Sequence, residues 1–344
     1  MHGSVQVRRN VLLGSLLLLL IVAIILGLSL GSVPLPTRGV VSALLAGPNP
    51  EEVGEPADTW HEIVWTLRFP RVLLAFVEGV SLSLAGAVMQ GLFRNPMAEP
   101  YVLGVSSGAS LGAVLGIAVG LGRSLGLWAL PFVAFAGALI TTGLVYALST
   151  HGGRTDTWTL LLSGIAVSSL ISSMIALIMV VSRDRLDEIV FWTMGSLSRA
   201  TWRAVGIAIL YTLPGAVLLW LNSVALNALS FGEEPAFHLG VSVEKTKRTL
   251  MWTASLVTAG SVAFTGPIGF VGLMVPHAVR LIAGPDHRWL LPLSALMGGN
   301  ALVLADLLAR TLAPPMEIPV GVITALAGAP FFLYLLHRTR RDGR

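Results

Sequence analysis

The most informative stretch of this chain covers residues 204–265, which read AVGIAILYTLPGAVLLWLN (204–222), SVALNALSFGEEPAFHLGVSVEKTKR (223–248) and TLMWTASLVTAGSVAFT (249–265). The outer two parts are apolar, whereas the middle part mixes apolar side chains with Asn, Ser, Glu and His. Pro235 suits a first helical turn and Gly240 suits a C-terminal cap, so the middle part predicts two short amphipathic helical turns. Such a segment fits either a surface that contacts a partner or an ordinary loop between helices.

The composition of the whole chain indicates a membrane protein. Hydrophobic residues make up 54% of the 344 positions, charged residues make up 12%, and the mean hydropathy is +0.80. A soluble domain carries about 25% charged residues. We therefore predict an all-α polytopic membrane protein that forms a single domain over residues 1–344, with about ten transmembrane helices. The ten apolar runs lie near residues 11–33, 72–92, 102–121, 125–148, 158–181, 204–222, 249–265, 268–283, 289–309 and 318–336. Only Gly266 and Pro267 separate the seventh run from the eighth.

The distribution of Lys and Arg predicts the orientation of the chain. With the N-terminus inside, 13 Lys or Arg residues fall on the inner side and 9 on the outer side. This bias predicts cytoplasmic N- and C-termini. The first run spans 23 residues, more than the roughly 7–15 residues of the apolar region in a signal peptide, so we expect it to stay as an anchor. The pI near 9.9 then reflects membrane topology, and nucleic-acid binding is not expected.

Five glycines recur every four residues along the third apolar run, at Gly104, Gly108, Gly112, Gly116 and Gly120. A stripe of this kind lets another helix backbone approach closely, so it predicts tight helix packing. The alternative is that the glycines line a passage.

Four serines follow one another at helical spacing in the fifth run, at Ser168, Ser169, Ser172 and Ser173. Positions four apart lie one turn apart on the same helix face. The serines therefore either line a water-filled pathway or bond to their own helix backbone.

Few ionisable residues interrupt the apolar runs, and the pattern does not favour an enzyme. Asp306 lies one turn from Arg310 and can pair with it, while Glu78 is the residue with the strongest case for a further role. No cluster has metal-ligand spacing and the chain has no cysteine, so neither a metal nor another cofactor is expected. A Walker A loop needs Gly-Lys before Ser or Thr, and neither Lys245 nor Lys247 follows glycine. If transport is uphill, a separate subunit hydrolyses ATP.

Several long motifs resemble the permeases of the FecCD family of type II ABC importers, which take up iron chelates, haem and cobalamin. They are LRFPR (67–71), AGAVMQGLFRNPMAEPYVLGVSSGA (85–109), FTGPIGFVGLMVPH (264–277), LADLLAR (304–310) and IPVGVITALAGAP (318–330). The resemblance covers roughly residues 10–338 and keeps the motifs in order. It implies the type II importer permease fold in a bacterial inner membrane.

The resemblance also implies a function and a set of partners. The chain is expected to be a non-catalytic permease that moves a metal chelate inward, with a ferric siderophore as the first choice of cargo and haem or cobalamin as alternatives. Its expected partners are a second copy of itself, two cytoplasmic ATP-binding subunits, an extracytoplasmic substrate-binding protein and membrane lipid. A secondary carrier or a channel is the remote alternative.

The same resemblance implies roles for three groups of residues. The inner segment, about residues 222–248, corresponds to the ATPase coupling element. The expected coupling residues are Phe231, Gly232, Glu233, Ala236, Phe237, Leu239 and Gly240. The expected cytoplasmic gate is Thr155, Asp156, Thr157 and Trp158, after a link that Gly152 and Gly153 allow to bend. The expected docking residues for the binding protein are Arg68, Arg71 and Arg310.

Overall fold

The computed structural model describes residues 2–31, 33–48, 57–124, 126, 128–152 and 154–341, and Gly153 lies outside this range. The helices in this part of the chain are α1 (His2–Ser29), α2 (Thr37–Ala46), α3 (Ala57–Glu62), α4 (Phe69–Leu92), α5 (Val105–Ala118), α6 (Leu121–Ser124), α7 (Ala129–Ser149), α8 (Thr157–Val181), α9 (Leu186–Thr193), α10 (Trp202–Leu221), α11 (Ser223–Leu229), α12 (Glu233–His238), α13 (Val243–Thr265), α14 (Val271–Ala283), α15 (His287–Thr311) and α16 (Val320–Arg341). A π-helix (Ile63–Arg68), two 3-10 helices (Pro100–Leu103 and Arg183–Arg185) and a hairpin of β1 (Thr150–His151) and β2 (Arg154–Thr155) complete the elements. The all-α fold class is confirmed.

Each of the ten predicted apolar runs overlaps one helix of 13 or more residues, and α13 and α14 are separate helices as predicted. Within the described residues, six helical stretches are long and apolar enough to cross a membrane: Val5–Ser29, Thr59–Leu92, Ala129–Ser149, Thr157–Val181, Trp202–Leu221 and His287–Thr311. Helices α5 and α14 have 14 and 13 residues, fewer than the roughly 20 that span a bilayer. The number of ten crossings therefore stays a prediction.

The predicted glycine stripe packs α5 against α7. A side chain on Gly108 would clash with the carbonyl oxygen of Gly137, and one on Gly112 would clash with the carbonyl oxygen of Val133. Small residues on both helices let the two backbones touch, which is the chemistry that the spacing predicted. The glycines are therefore packing residues in this chain.

Helix α4 forms the centre of the bundle. It packs against α10, α13, α14 and α15. In the helical stretch Thr59–Leu92, which includes α4, 83% of the most apolar 18 consecutive residues are buried. Two glycines make this possible, since Gly79 lies against the backbone of Gly298 and Gly86 lies against the backbone of Gly272. Helix α8 is the opposite case, because only 17% of its most apolar 18 consecutive residues are buried. A long apolar helix is thus left largely uncovered by the rest of this single chain.

The long helices define two ends of the molecule. One end, called the arginine end below, brings Arg68, Arg71 and Arg310 together with the end of α1. The other, called the loop end, brings the start of α1 together with residues 150–152, 154–158, 222–248 and 284–288. Its contacts include a hydrogen bond of 3.0 Å from Arg9 to the carbonyl oxygen of Ala283. These stretches, all assigned to the inner side of the membrane, thus meet at one end.

Candidate functional site

The arginine end is organised around one buried carboxylate. Asp306 is 1% exposed. One of its oxygens lies 2.9 Å from Nε of Arg71, and the other lies 3.0 Å from Nε of Arg310. Arg71 also pairs with Glu317 through Nη1 at 2.9 Å. The Asp306–Arg310 pair was predicted from helical spacing, whereas the contacts of Arg71 join residues 235 and 246 positions apart and carry no local signal.

Two of the three expected docking residues are not presented at the surface. Arg68 is 6% exposed and donates to the carbonyl oxygens of Leu28 and Ser29, at 2.7 and 2.8 Å, and of Val33. Arg310 is 4% exposed. The structure thus does not present these two arginines at the surface, and their docking role stays a prediction. Their guanidinium groups are instead used to fix the end of α1, because a buried cation must be surrounded by acceptors.

The loop end carries the segment 222–248, which folds as the two short helices α11 and α12 that the sequence predicted. Gly240 takes a φ of 83° after the last turn of α12, the left-handed conformation expected of a helix cap. Three large apolar side chains stand out into solvent, with Phe231 at 79%, Phe237 at 68% and Leu239 at 71% exposure. Exposed apolar groups on one short element are typical of a contact surface.

Ala236 does not belong to that surface. It is fully buried and packs in the same core cluster as Leu226 and Leu229 of α11. Helix α12 turns Ala236 toward the protein and its neighbours Phe237 and Leu239 outward. A role of Ala236 in ATPase coupling stays a prediction. A bulky charged residue at position 236 would disrupt the segment itself.

Asn227 attaches α11 to the start of α15. Its Nδ2 donates to Asp286 at 2.8 Å, and its Oδ1 accepts from the backbone N–H of His287 at 2.9 Å. Arg288 donates to the same carboxylate at 2.9 Å. The hydrogen bonds from Arg288, helped by those from Asn227, lower the pKa of Asp286 to about 2. This anchor was missed, because nothing in the local pattern distinguishes Asn227 from other polar residues of the segment.

The expected gate residues lie in the β1–β2 hairpin and at the start of α8. Thr155 is 6% exposed and pairs with Thr150 in the two-stranded register. Asp156 caps α8 by accepting from the hydroxyl and the N–H of Thr159, each at 2.7 Å. The hydroxyl bond, followed by the N–H bond, lowers the pKa of the Asp156 carboxyl. Trp158 is 75% exposed. Gly152 takes a φ of 58°, so it supplies the predicted bend.

The four serines of α8 divide into two pairs. Ser168 and Ser172 line a cavity of about 460 Å³ between α5 and α8, together with Ser106, Ser107, Ser110, Tyr101, Ile175, Met179 and Thr193. Ser168 shares a hydrogen bond of 3.0 Å with Ser107. Ser169 and Ser173 are exposed on α8 and donate to the carbonyl oxygens of Ile165 and Ser169. Ser172 also donates to the carbonyl oxygen of Ser168, so three of the four serines bond to their own helix backbone. A role of the serines in a pathway stays a prediction.

Glu78 lies at the centre of the bundle and is fully buried. Its Oε1 accepts a hydrogen bond of 2.7 Å from the hydroxyl of Tyr211 on α10. Within the part of the chain that the structure describes, Oε2 has no hydrogen-bond partner. The contact ties α4 to α10.

Fold and site together define a multi-pass membrane transport protein in which a central buried helix organises the bundle. The sequence profile of the FecCD transport family matches residues 19–338. The chain belongs to this family and is the permease subunit of a type II ABC importer.

The relatives of the chain are permeases of the same kind. The cobalamin import system permease protein BtuC of Halobacterium salinarum is 47% identical over 306 residues, which cover 89% of this chain and 80% of the relative. The hemin transport system permease protein HmuU of Yersinia pestis is 40% identical over 99% of both chains. A solved structure described as an inward-facing metal-chelate type ABC transporter matches with a TM-score of 0.82 and 31% identity, over 96% of this chain and 99% of that one.

Proposed function

We propose that this permease moves an organic metal chelate inward as a homodimer, driven by two separate cytoplasmic ATPase subunits and supplied by an extracytoplasmic binding protein. The observation that carries the proposal is the serine-lined cavity beside α8, the helix that the single chain leaves largely uncovered. A helix that met only lipid would gain nothing from a cavity of hydroxyl groups on one side, because hydrocarbon offers these groups no partners.

A second copy is the proposed cover for α8. Ser169 and Ser173 would then face the partner subunit or the pathway, while Ser168 and Ser172 contribute the wall of the cavity. Hydroxyl groups offer many weak hydrogen bonds, which suit a large cargo that must pass and not remain bound.

The proposed cargo is a metal enclosed in an organic ligand. The two named relatives carry cobalamin and hemin, and both are chelates of this class. A ferric siderophore is the first candidate, with haem and cobalamin as the alternatives to be tested on equal terms.

The loop end is proposed to face the cytoplasm of a bacterial cell, with both termini on that side of the inner membrane. Phe231, Phe237 and Leu239 are the proposed contacts of the ATPase, since they combine large apolar area with exposure. Gly232, Glu233 and Gly240 shape the same element. The hairpin and the residues Thr155 to Trp158 are the proposed cytoplasmic gate.

The arginine end is proposed to face the binding protein. Arg71 is the proposed contact, because its pairing with the partly exposed Glu317 lies at the rim of the cluster, where an acidic partner can compete with Glu317 for it. Such pairs mainly set association rate and orientation.

Reconstitution into proteoliposomes tests the proposal. The permease is combined with the ATPase and binding protein encoded by neighbouring genes, and uptake of ferric siderophores, haem and cobalamin is measured with and without ATP. Uptake that needs both partners supports the proposal, and uptake by the permease alone would instead indicate a carrier or channel. Ser168→Leu with Ser172→Leu should slow uptake, whereas Ser163→Leu, on the same helix but outside the cavity lining, should not.

A further inference from the structure

Lys247 is the buried cation at the loop end. It lies in the second turn of α13 and is 5% exposed. Its Nζ donates to the backbone carbonyl oxygen of Thr155 at 2.9 Å and to Oε1 of Glu233 at 2.9 Å, and it lies 3.5 Å from Oε1 of Glu244. An ammonium group has three protons to donate. Three oxygens therefore surround Lys247, and they come from the hairpin, from α12 and from α13 itself.

Thr155 is held by α13 at both of its backbone groups. Its carbonyl oxygen accepts from Lys247, and its N–H donates to Oε2 of Glu244 at 3.3 Å. On its other side, Thr155 pairs with Thr150, whose hydroxyl lies 3.3 Å from its own. Thr155 thus attaches the hairpin to the start of α13 through both of its backbone polar groups.

Glu233 makes the connection to α12. It is the first residue of that helix, and its side chain is 51% exposed although its partner is buried. Separating a buried ammonium from a carboxylate leaves a charge without compensation, which is strongly unfavourable in a protein interior. A displacement of α12 must therefore either carry Lys247 along or force it to exchange acceptors.

A cavity of about 500 Å³ gives these groups room to move. Its walls include Glu233 and Lys247 together with Phe93, Arg94, Thr157 and Trp158. The pair between α12 and α13 thus borders the same space as the start of α8.

We propose that Lys247 is the positioning residue that transmits movement of α12 to the cytoplasmic gate. The inference rests on the proposed function, in which α12 contacts the ATPase and the hairpin belongs to the gate. Movement of Glu233 shifts the ammonium of Lys247, and the ammonium shifts the backbone of Thr155. The start of α8 follows, because Asp156 directly continues from Thr155 into the cap of that helix.

The first test compares the only two lysines of the chain in the complete complex of permease, ATPase and binding protein. Lys247→Met keeps the length of the side chain and removes its charge, and Lys245→Met makes the same change at an exposed position two residues away. We expect Lys247→Met to keep assembly and ATP hydrolysis, and to transport roughly tenfold less cargo for each ATP hydrolysed, within the usual range of coupling between sites. Lys245→Met should match the unmodified complex, and equal behaviour of the two variants would overturn the inference.

A second pair of variants covers the case in which Lys247→Met fails to assemble. Glu233→Gln removes the charge of a half-exposed partner, and Glu234→Gln is its exposed neighbour and control. The readout is the distance between spin labels at Thr157→Cys in the two copies, which is straightforward because the chain has no cysteine. With Glu233→Gln the change in distance between nucleotide states should shrink at least about twofold, by loss of the coupling contact. If the distance between the labels changes as much as in the unmodified complex, Lys247 does not connect α12 to the gate.

Failure of the link and failure of the proposed function have different signatures. If Phe237→Glu abolishes ATPase binding while Lys247→Met and Glu233→Gln leave gate movement intact, α12 is the coupling element and Lys247 is not its connection. If Phe237→Glu leaves ATPase binding intact, the coupling role of α12 itself is wrong.

Discussion

The arginine end and the loop end both contain buried charge, but they use it differently. At the arginine end, Arg71 and Arg310 share one carboxylate, Asp306, and all three residues belong to the long helices α4 and α15. At the loop end, Lys247 joins a long helix to a hairpin and to a six-residue helix. The first arrangement fixes helices that already pack along their length, whereas the second connects elements with few other contacts.

The two ends also differ in the side chains that they expose. The rim of the arginine end presents a charged group, Glu317, while the loop end presents Phe231, Phe237 and Leu239. Charged contacts favour fast and reversible association, and apolar contacts favour a lasting one. We therefore expect a transient partner at the arginine end and a permanent one at the loop end.

The largest effect is expected from removing the shared carboxylate. Asp306→Asn leaves two guanidinium groups facing one neutral amide in a site that is 1% exposed, which should cost about 3–5 kcal/mol. Thermal unfolding in detergent measures this loss of stability. Glu317→Gln is the matched control, because a partly exposed pair contributes only about 0–1 kcal/mol. Similar midpoints for the two variants would mean that the cluster does not hold the helices.

The next effect concerns the apolar surface of the loop end. Phe237→Glu should reduce binding of the ATPase by at least about 2 kcal/mol, roughly thirtyfold, because a contact residue of this size would be replaced by a charge without a partner. Co-purification and binding titrations measure the change. Lys245→Glu reverses an exposed charge on the same end and should have little effect. Loss of binding in both variants would point to general electrostatic repulsion.

Two smaller effects of opposite sign are expected at the arginine end, both on the association rate of the binding protein. An acidic binding protein must compete with Glu317 for Arg71. Glu317→Gln should therefore raise its association rate a few-fold at low salt, and Arg71→Gln should lower it by a similar factor. Both changes should diminish above about 0.5 M salt because of screening. A salt-independent change, or the same sign for both variants, would exclude this docking site.

The smallest effect is a dependence on pH at the anchor of α11. The pKa of Asp286 is about 2 in the folded protein, below its ordinary value of 3.8. A lowered pKa means that the folded state favours the ionised form, so this stabilisation is complete above pH 4 and is lost as the pH falls toward 2. After solvent screening it amounts to at most about 1 kcal/mol. Hydrogen exchange of residues 223–229 should rise over this window, and in Asp286→Asn the same segment should lose that pH dependence.

The sequence by itself determined the class of the protein and the positions of its long helices. Apolar runs and the four-residue glycine repeat were sufficient, because burial in lipid and close backbone approach leave a direct mark on residue type. The two short helices of the segment 222–248 were also predicted, since Pro235 and Gly240 act through local backbone geometry. The pairing of Asp306 with Arg310 followed from helical spacing alone.

The tertiary structure decided which of the candidate residues are available to a partner. Arg68 and Ala236 were assigned to surfaces and are buried, because the direction of a side chain depends on how its helix is rotated against neighbours far away in the chain. The contacts of Arg71 with Glu317 and of Lys247 with Thr155 span 246 and 92 positions. Local periodicity reports which residues share a helix face, but only packing between helices brings distant charges together and determines which faces remain exposed.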